Sequence, residues 1–267
     1  MRLSIDHRTR YRFSEPQARL VQLLRLTPQN THDQTVAQWR IDVDRDARLR
    51  AGRDGFGNCV TMLYVEGPLE GIEIAVTGEV VTSHSSGVIR GASEPLPPQV
   101  FLRTTDATPA DPTIAAFAQD SGGEDVLDRL HRLNDAFHAR FTLDRGRPLP
   151  GLDAGEAFVR ETATPRDMAQ MFAVAARSIG VPARYVSGYT RAGGDDDHRC
   201  TPHGWVEAHV ERIGWIGFDP CTGECPEEQY VRVAAALDAA GAAPVAGSRL
   251  GEGEEMLDVD VQVVEEQ

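Results

Sequence analysis

His203 and Asp219 are the residues of this chain best suited to acid–base chemistry. They belong to the segments H-G-W-V-E and G-W-I-G-F-D-P, which we predict to be neighbouring strands. An aspartate that orients an imidazole forms the acid–base half of a catalytic triad, whose third member is a hydroxyl or thiol nucleophile. The pair therefore predicts acyl-transfer chemistry if a suitable nucleophile lies beside it.

A helix predicted to begin at T-P-R-D would stand next to this pair. Thr164 suits the N-cap, Pro165 the first helical position and Asp167 the third, as in a capping box. Gly180 suits the left-handed position that ends a helix. The start of a helix is where a cysteine is activated, because the helix dipole favours the thiolate. This helix offers Thr164 and Pro165 there instead of a thiol.

The cysteines give further candidates for a nucleophile or a metal site. They are Cys59, Cys200, Cys221 and Cys225. Cys200 shortly precedes His203 and Cys221 closely follows Asp219, so both are alternative nucleophiles, with the Thr164 hydroxyl as a third. The spacing of Cys200, His203, Cys221 and Cys225 matches no standard zinc pattern, since neither cysteine pair is C-x2-C. We therefore expect no metal and no cofactor.

Composition excludes several classes of function. The formal net charge of −14 argues against nucleic-acid binding, which needs a basic face. No apolar run approaches the roughly 20 residues that span a bilayer, and the charged N-terminus has no signal-peptide core. We therefore expect a cytoplasmic protein that binds no membrane. The sequence contains no lysine, which excludes Schiff-base chemistry by a lysine of this chain.

Hydrophobic patterning predicts three regions. Residues 1–95 contain alternating segments, typical of an antiparallel β domain, whose first strand we expect to stop at Pro16. Residues 96–230 combine predicted helices from Asp111 and over 125–141 and 165–179 with a meander of strands. In residues 231–267 the alanine-rich V-R-V-A-A-A-L-D-A-A-G-A-A-P suggests a loosely ordered connection. A final alternating strand is expected to return to the N-terminal sheet.

Several segments taken together resemble one family. Y-R-F-S-E-P, L-R-L-T-P and D-G-F-G-N lie in the first region, and E-A-F, G-V-P-A-R-Y-V-S-G-Y, H-G-W-V-E and G-W-I-G-F-D-P follow in the second. In this order and spacing they resemble the bacterial transglutaminase-like proteins, whose core is related to transglutaminases, papain-like cysteine proteases and peptide amidases. The resemblance implies an α+β fold. A papain/transglutaminase-like core, with a helix packed on an antiparallel sheet, would join a β domain built from both ends of the chain.

The resemblance also implies a Cys-His-Asp triad, of which this chain lacks one member. His203 and Asp219 match the family histidine and aspartate. Counted without gaps from either side, the family cysteine falls on Pro165, while Arg166 replaces a glutamine and Gln170 a histidine. Proline has no nucleophile and no backbone N–H to stabilise an oxyanion.

The sequence therefore favours an inactive family member over an active enzyme. We expect a pseudoenzyme that binds a peptide, an amide or a partner protein in the former active-site cleft, with Arg166 and Trp205 as candidate binding residues. The alternative is an active protease, amidase or acyl transferase that uses Cys200 or Cys221 with His203 and Asp219. A third possibility is a scaffold subunit in which the pair has no chemical role.

Overall fold

The structure is a computed structural model that describes residues 1–191, 198–199 and 202–266. The helices are α1 (Pro112–Asp120), α2 (Val126–Arg140), α3 (Ala154–Phe158) and α4 (Pro165–Ser178), with a 3-10 helix at Pro98–Leu102. The first strands are β1 (Arg2–Leu24), β2 (Gln34–Val43), β3 (Arg48–Arg53), β4 (Cys59–Thr82), β5 (Thr142–Leu143) and β6 (Thr162–Ala163). The others are β7 (Ala183–Thr190), β8 (His198–Arg199), β9 (His203–Val210), β10 (Gly214–Phe218), β11 (Tyr230–Ala236), β12 (Val245–Leu250) and β13 (Glu255–Glu265).

The N-terminal strands form a large antiparallel sheet in the order β2-β4-β1-β13-β8, with β3 beside β4 and β12 beside β1. The C-terminal strand β13 pairs with β1 from Leu3↔Glu265 to Phe13↔Glu255. The prediction that the first strand stops at Pro16 is wrong. β1 continues to Leu24, because a register shift against β4 between Arg12 and Gln17 accommodates the proline without requiring an N–H from it.

The second sheet is antiparallel, in the order β10-β9-β7-β11, and α4 packs against it. Almost every residue of α4 is buried, so this helix is the centre of the core. It contacts β9 and β7 of the sheet as well as α1, α2 and α3. A helix packed on an antiparallel sheet, joined to an antiparallel β region, confirms the predicted α+β fold.

Local sequence determines how α4 begins and ends. Thr164 and Asp167 form the predicted capping box, with Pro165 in the first turn. Gly180 has φ +80, the left-handed conformation that favours glycine after a helix. These contacts fix the position of the first helical turn, which faces the strands that carry the candidate site.

The prediction of a loosely ordered connection is wrong for the first residues of the alanine-rich segment, which form a strand. Residues 230–236 form β11, which pairs with β7 and is largely buried. Alanine is small, and here it allows the strand to lie close beneath large aromatic rings, as Ala235 does in a cluster with Trp205 and Tyr230. Low complexity therefore indicates tight packing here and not disorder.

The two sheets share a hydrophobic core. Leu3, Ile5 and Val261 of the N-terminal sheet pack with Tyr185 and other residues of the second sheet. His7 of β1 also reaches Tyr189 of β7 through a hydrogen bond. Among the described residues, no helix is both long and apolar enough to cross a membrane.

Candidate functional site

His203 and Asp219 meet where two paired strands approach the start of α4. His203 is the first residue of β9, and Asp219 directly follows β10, which pairs with β9 as far as Phe218↔Val206. His203 Nε2 lies 2.7 Å from Asp219 Oδ2. Both side chains are buried, at 6% and 0% exposure. The predicted pair is therefore formed in the fold, with the imidazole N–H donating to the carboxylate.

Asp219 is held as a carboxylate by its neighbours. Burial alone would raise its pKa, but the charge and hydrogen bond of His203 lower the pKa, as do hydrogen bonds from Tyr230 and the Cys221 backbone, and the net direction is downward. The Tyr230 hydroxyl donates to Oδ2 over 2.7 Å, and the Cys221 N–H donates to Oδ1 over 2.9 Å. An ionised Asp219 accepts the Nε2–H of His203 and fixes the orientation of the ring.

The other ring nitrogen of His203 makes no hydrogen bond to a described residue. His203 Nδ1 is buried and has no hydrogen-bond partner in the described part of the chain. Leaving a buried polar atom unpaired costs about 1–3 kcal/mol. Such an atom within an otherwise satisfied site marks where a nucleophile, a ligand or an ion would normally complete the arrangement.

Aromatic side chains fix the imidazole from the side. Trp205 lies 6.1 Å from the His203 ring, nearly parallel to it, and Tyr230 lies 6.0 Å away. Trp205 is only 2% exposed. It supports the histidine ring, and its contact with a ligand stays a prediction.

The Thr164 hydroxyl, at the start of α4, is already hydrogen-bonded within the capping box. Thr164 Oγ1 donates to Asp167 Oδ2 over 2.6 Å and accepts from the Asp167 N–H at 3.3 Å. The Thr164 N–H also donates to Asp167 Oδ2. The hydroxyl proton therefore serves the capping box, and Pro165 beside it has neither a nucleophile nor an N–H.

Cys221 is the alternative nucleophile that the fold brings to the pair. Its thiol is buried, and its Sγ lies within 4.8 Å of a donor atom of His203 and of Asp219. Sγ also lies 3.8 Å from Met168 Sδ, on the first turn of α4. Cys200, the other alternative, lies outside the described residues.

The remaining described cysteines have different surroundings. Cys225 is half-buried, and burial, followed by Glu227 and Glu224, raises its pKa to about 11, so it stays a thiol at neutral pH. Cys59 begins β4 in the N-terminal sheet and is half-buried. Neither residue belongs to the group formed by His203, Asp219 and Cys221.

A cleft of about 520 Å³ lies beside the start of α4. Arg166 and Gln170 of the helix line it, with Tyr185 and Ser187 of β7 and Pro202, which directly precedes His203. The lining also includes a run of apolar residues, Ala239, Ala240, Ala242, Ala243 and Pro244. The cleft is therefore lined mainly by apolar surface.

Arg166 lines this cleft, but its charge is partly balanced within the protein. Its guanidinium donates to Asp167 Oδ1 at 3.1 Å and to the Leu149 carbonyl at 2.6 Å. The side chain is 24% exposed. Arg166 can therefore offer a ligand only the donors that these two acceptors leave over.

Tyr230 and Tyr185 are site residues that the sequence prediction missed. Tyr230 directly precedes the segment predicted to be loosely ordered, and nothing in that segment's sequence indicates that the Tyr230 hydroxyl contacts Asp219. Tyr185 lies in the segment G-V-P-A-R-Y-V-S-G-Y, where it alternates with Ser187 along β7, so both side chains point to the same face of the strand and line the cleft. A Cβ on Gly204 would collide with the Tyr185 hydroxyl, so the glycine after His203 makes room for this phenol.

Comparison with known proteins places two regions of the chain in related families. Residues 3–81 match the bacterial transglutaminase-like N-terminal region, and residues 115–220 match the transglutaminase-like superfamily. The uncharacterized protein ML0607 of Mycobacterium leprae is 26% identical over 98% of both chains. The uncharacterized protein Rv2569c of Mycobacterium tuberculosis is 25% identical over 98% of this chain and 92% of its own.

A solved structure shares the fold over the whole chain. It is titled "a Putative Cysteine Protease from Cytophaga hutchinsonii" and superimposes with a TM-score of 0.75, covering 100% of this chain and 92% of the other. The two sequences are 17% identical, so this likeness concerns the fold alone.

Proposed function

Because the chain belongs to the bacterial transglutaminase-like proteins, we propose that it is a catalytically silent member that binds a peptide, an amide or a partner protein in the cleft beside His203. The observation that carries this proposal is the unpartnered His203 Nδ1. In an active triad the base forms a hydrogen bond with its nucleophile. Here the base is oriented by Asp219, but no described thiol or hydroxyl forms that bond.

The start of α4 supports the same conclusion from the side of the missing nucleophile. The Thr164 hydroxyl donates its proton to Asp167, and Pro165 has no reactive group. A proline at this position also lacks the N–H that could stabilise a developing oxyanion. Both the nucleophile and one possible electrostatic contribution are therefore absent at the same point of the helix.

The chemistry of the site favours a ligand that contains amide groups. With Nε2–H donated to Asp219, Nδ1 of a neutral imidazole holds a lone pair that can accept an N–H or O–H. The adjacent cleft offers a mainly apolar lining and the side chain of Ser187, while Gln170 Oε1 already accepts the Ala239 N–H. A peptide segment with a small or apolar side chain combines the groups that such a cleft would accept.

Blocking the cleft tests the binding part of the proposal. Peptides selected from a random display library on the full chain should lose at least about tenfold in affinity in Ala240→Trp, which would fill the cleft from its exposed apolar side. Ala51→Trp, on the exposed strand β3, is the matched control and should bind them normally. Peptides that bind the cleft-blocked variant equally well would contradict the proposal, as would a selection that yields none.

Restoring the thiol tests the catalytic part. In Pro165→Cys we expect a blocked glutaminyl-glycine peptide and hydroxylamine to form the peptide hydroxamate with release of ammonia, at a rate above that of Pro165→Ala. The gain should disappear when His203 is also replaced by Gln. No gain in a folded Pro165→Cys variant would contradict the claim that the nucleophile is the missing element.

A second candidate function is acyl transfer by a relocated nucleophile, and the position of Cys221 favours it. Its thiolate would attack the amide carbonyl, forming an S–C bond, and the C–N bond would break as the amine leaves with the proton that His203 removed from the thiol. Water would then release the acyl group.

Alkylation distinguishes the two candidates. Iodoacetamide should label an activated Cys221 rapidly below pH 7, whereas an ordinary thiol reacts mainly above about pH 8.5. Cys59 serves as the internal reference. Labelling of Cys221 no faster than that of Cys59 would exclude the relocated nucleophile.

A further inference from the structure

Three buried groups of different chemistry converge at the end of β10. One donor atom each from His203, Asp219 and Cys221 lies within 4.8 Å of the other two. Their exposures are 6%, 0% and 8%. We propose that these three side chains form a binding site for a Zn²⁺ ion.

The donor set matches the preferences of zinc. Zinc binds thiolate sulfur at about 2.3 Å, and imidazole nitrogen and carboxylate oxygen at about 2.0–2.2 Å, usually with tetrahedral geometry. Those bond lengths place neighbouring donors roughly 3–4 Å apart. The His203 nitrogen and the Asp219 oxygen are already 2.7 Å apart, so a modest adjustment would admit the ion. Three protein ligands leave a fourth position for water or a ligand.

The backbone around Asp219 holds two of the donors in place. The Asp219 N–H donates to the Glu224 carbonyl, and the Gly223 N–H donates to the Asp219 carbonyl, both at 2.9 Å. Within this turn, the Cys221 carbonyl lies 3.1 Å from Nδ1 of His138 on α2. The carboxylate and the thiol are therefore carried by one short, hydrogen-bonded turn.

The unpartnered nitrogen of His203 allows the ring to become a ligand. Moving the hydrogen from Nε2 to Nδ1 gives up the Nε2–H bond to Asp219 and frees the Nε2 lone pair for zinc. The move displaces no described partner of Nδ1, because that nitrogen has none. Zinc takes the place of the hydrogen between His203 and Asp219, and the Cys221 thiol releases one proton. The Tyr230 hydroxyl remains on the Asp219 carboxylate as a supporting contact.

This site could not be recognised from cysteine spacing. The spacing of Cys200, His203, Cys221 and Cys225 matches no standard zinc pattern. The fold instead joins His203 and Cys221 with Asp219. The inference does not depend on the silent or active state of the protein, because its test measures metal coordination and not turnover.

Cobalt titration tests the proposal directly. Co²⁺ replaces zinc with similar geometry, and a thiolate ligand gives a charge-transfer band in the near ultraviolet. The full-length reduced protein should bind one equivalent with this band and with ligand-field bands of tetrahedral intensity, and one equivalent of Zn²⁺ should bleach both. Cys221→Ser should abolish the charge-transfer band, and His203→Gln and Asp219→Asn should weaken binding at least about tenfold.

Matched controls locate the site. Cys59→Ser, Cys200→Ser and Cys225→Ser should each keep the full spectrum. Because Asp219→Asn could impair folding, the second readout is the Zn²⁺-induced rise in Tm, expected in the wild type and absent in folded Cys221→Ser. A charge-transfer band that persists in Cys221→Ser, loss of the band in any of the three controls, or no cobalt spectrum in the wild type would overturn the proposal.

Discussion

Two buried histidines, His7 and His203, lie in different regions of the molecule. Their hydrogen bonds distinguish a structural histidine from a candidate functional one. His7 lies in β1 of the N-terminal sheet, and both of its ring nitrogens are hydrogen-bonded, Nδ1 to the Tyr189 hydroxyl at 3.0 Å and Nε2 to the Thr9 hydroxyl at 3.1 Å. His203 lies in β9 of the second sheet, where one nitrogen bonds Asp219 and the other has no described partner.

The partners of the two rings explain their different roles. His7 has neutral hydroxyl partners, so burial dominates and lowers its pKa to about 4 despite the opposing charges of Asp6 and Asp260. That ring is neutral at physiological pH, and the fold satisfies all of its hydrogen bonds. His203 donates one hydrogen bond to an ionised carboxylate, and its second ring nitrogen has no described partner. A buried polar group that the fold leaves incomplete is therefore the better candidate for binding.

The largest expected effect comes from removing the charged partner of His203. Asp219→Asn deprives the His203 and Tyr230 donors and the Cys221 N–H of a carboxylate in a fully buried position. Breaking a buried pair by removing one partner costs about 3–5 kcal/mol. Urea unfolding at neutral pH should show this loss in the free energy of unfolding.

The control for this change is Asp258→Asn, because Asp258 is 71% exposed in its pair with Arg10. Exposed pairs contribute at most about 1 kcal/mol. Equal small losses in both variants would show that the His203–Asp219 pair contributes no more than a surface contact.

The pH dependence of stability should identify His7 as the structural histidine. An unfolded histidine takes up a proton below about pH 6.5, but folded His7 does so only near pH 4. The contribution of neutral His7 to the free energy of unfolding is therefore fully present above pH 6.5. It is lost as the pH falls toward 4, by roughly 3 kcal/mol in all.

Unfolding curves between pH 7 and pH 4 measure this loss. His7→Gln should be less stable at pH 7 yet have a flatter pH profile than the wild type over that interval. Parallel profiles for the two proteins would contradict the assignment of this titration to His7.

A smaller effect is expected from the tyrosine that supports the site. Tyr230→Phe removes one hydrogen bond to the Asp219 carboxylate and leaves the ring in place. A bond to a charged group contributes about 1.5–3 kcal/mol. Tyr64→Phe, at a half-exposed position of β4, should change stability by less than about 0.5 kcal/mol in the same unfolding assay. Equal stability of Tyr230→Phe and Tyr64→Phe would show that the Tyr230 hydroxyl does not support Asp219.

The smallest effect concerns the role of Thr164. If its hydroxyl serves the capping box, Thr164→Ala should destabilise the protein by about 1 kcal/mol, while Thr164→Ser should retain nearly all stability. Thermal unfolding of the two variants measures the difference. Full stability of the alanine variant would show that the hydroxyl is available for another role.

Local signals in the sequence predicted the parts of the site that depend on neighbouring residues. Thr164, Pro165 and Asp167 interact within one helical turn, so their spacing alone predicted the capping box. His203 begins β9, and Asp219 directly follows β10, the adjacent antiparallel strand, which a short turn joins to β9. This proximity made their contact predictable as well.

Contacts between distant segments could not be predicted in the same way. Tyr230 reaches Asp219 only because residues 230–236 form the strand beside β7, and their alanine-rich composition gave no hydrophobic pattern to indicate it. Likewise, β1 passes Pro16 because its partner β4 changes register there, which is a property of the pair and not of β1 alone. The thiol of Cys221 approaches His203 through the turn after Asp219, which the spacing of cysteines does not encode.

The most direct test of the central claim is turnover by the unmodified protein. Formation of hydroxamate from a blocked glutaminyl-glycine peptide and hydroxylamine, and release of peptides from casein, should be measured for the wild type and for His203→Gln at equal concentration. A base without a nucleophile predicts that the two proteins give the same rate, equal to that of the buffer. Turnover by the wild type that is lost in folded His203→Gln would contradict the account.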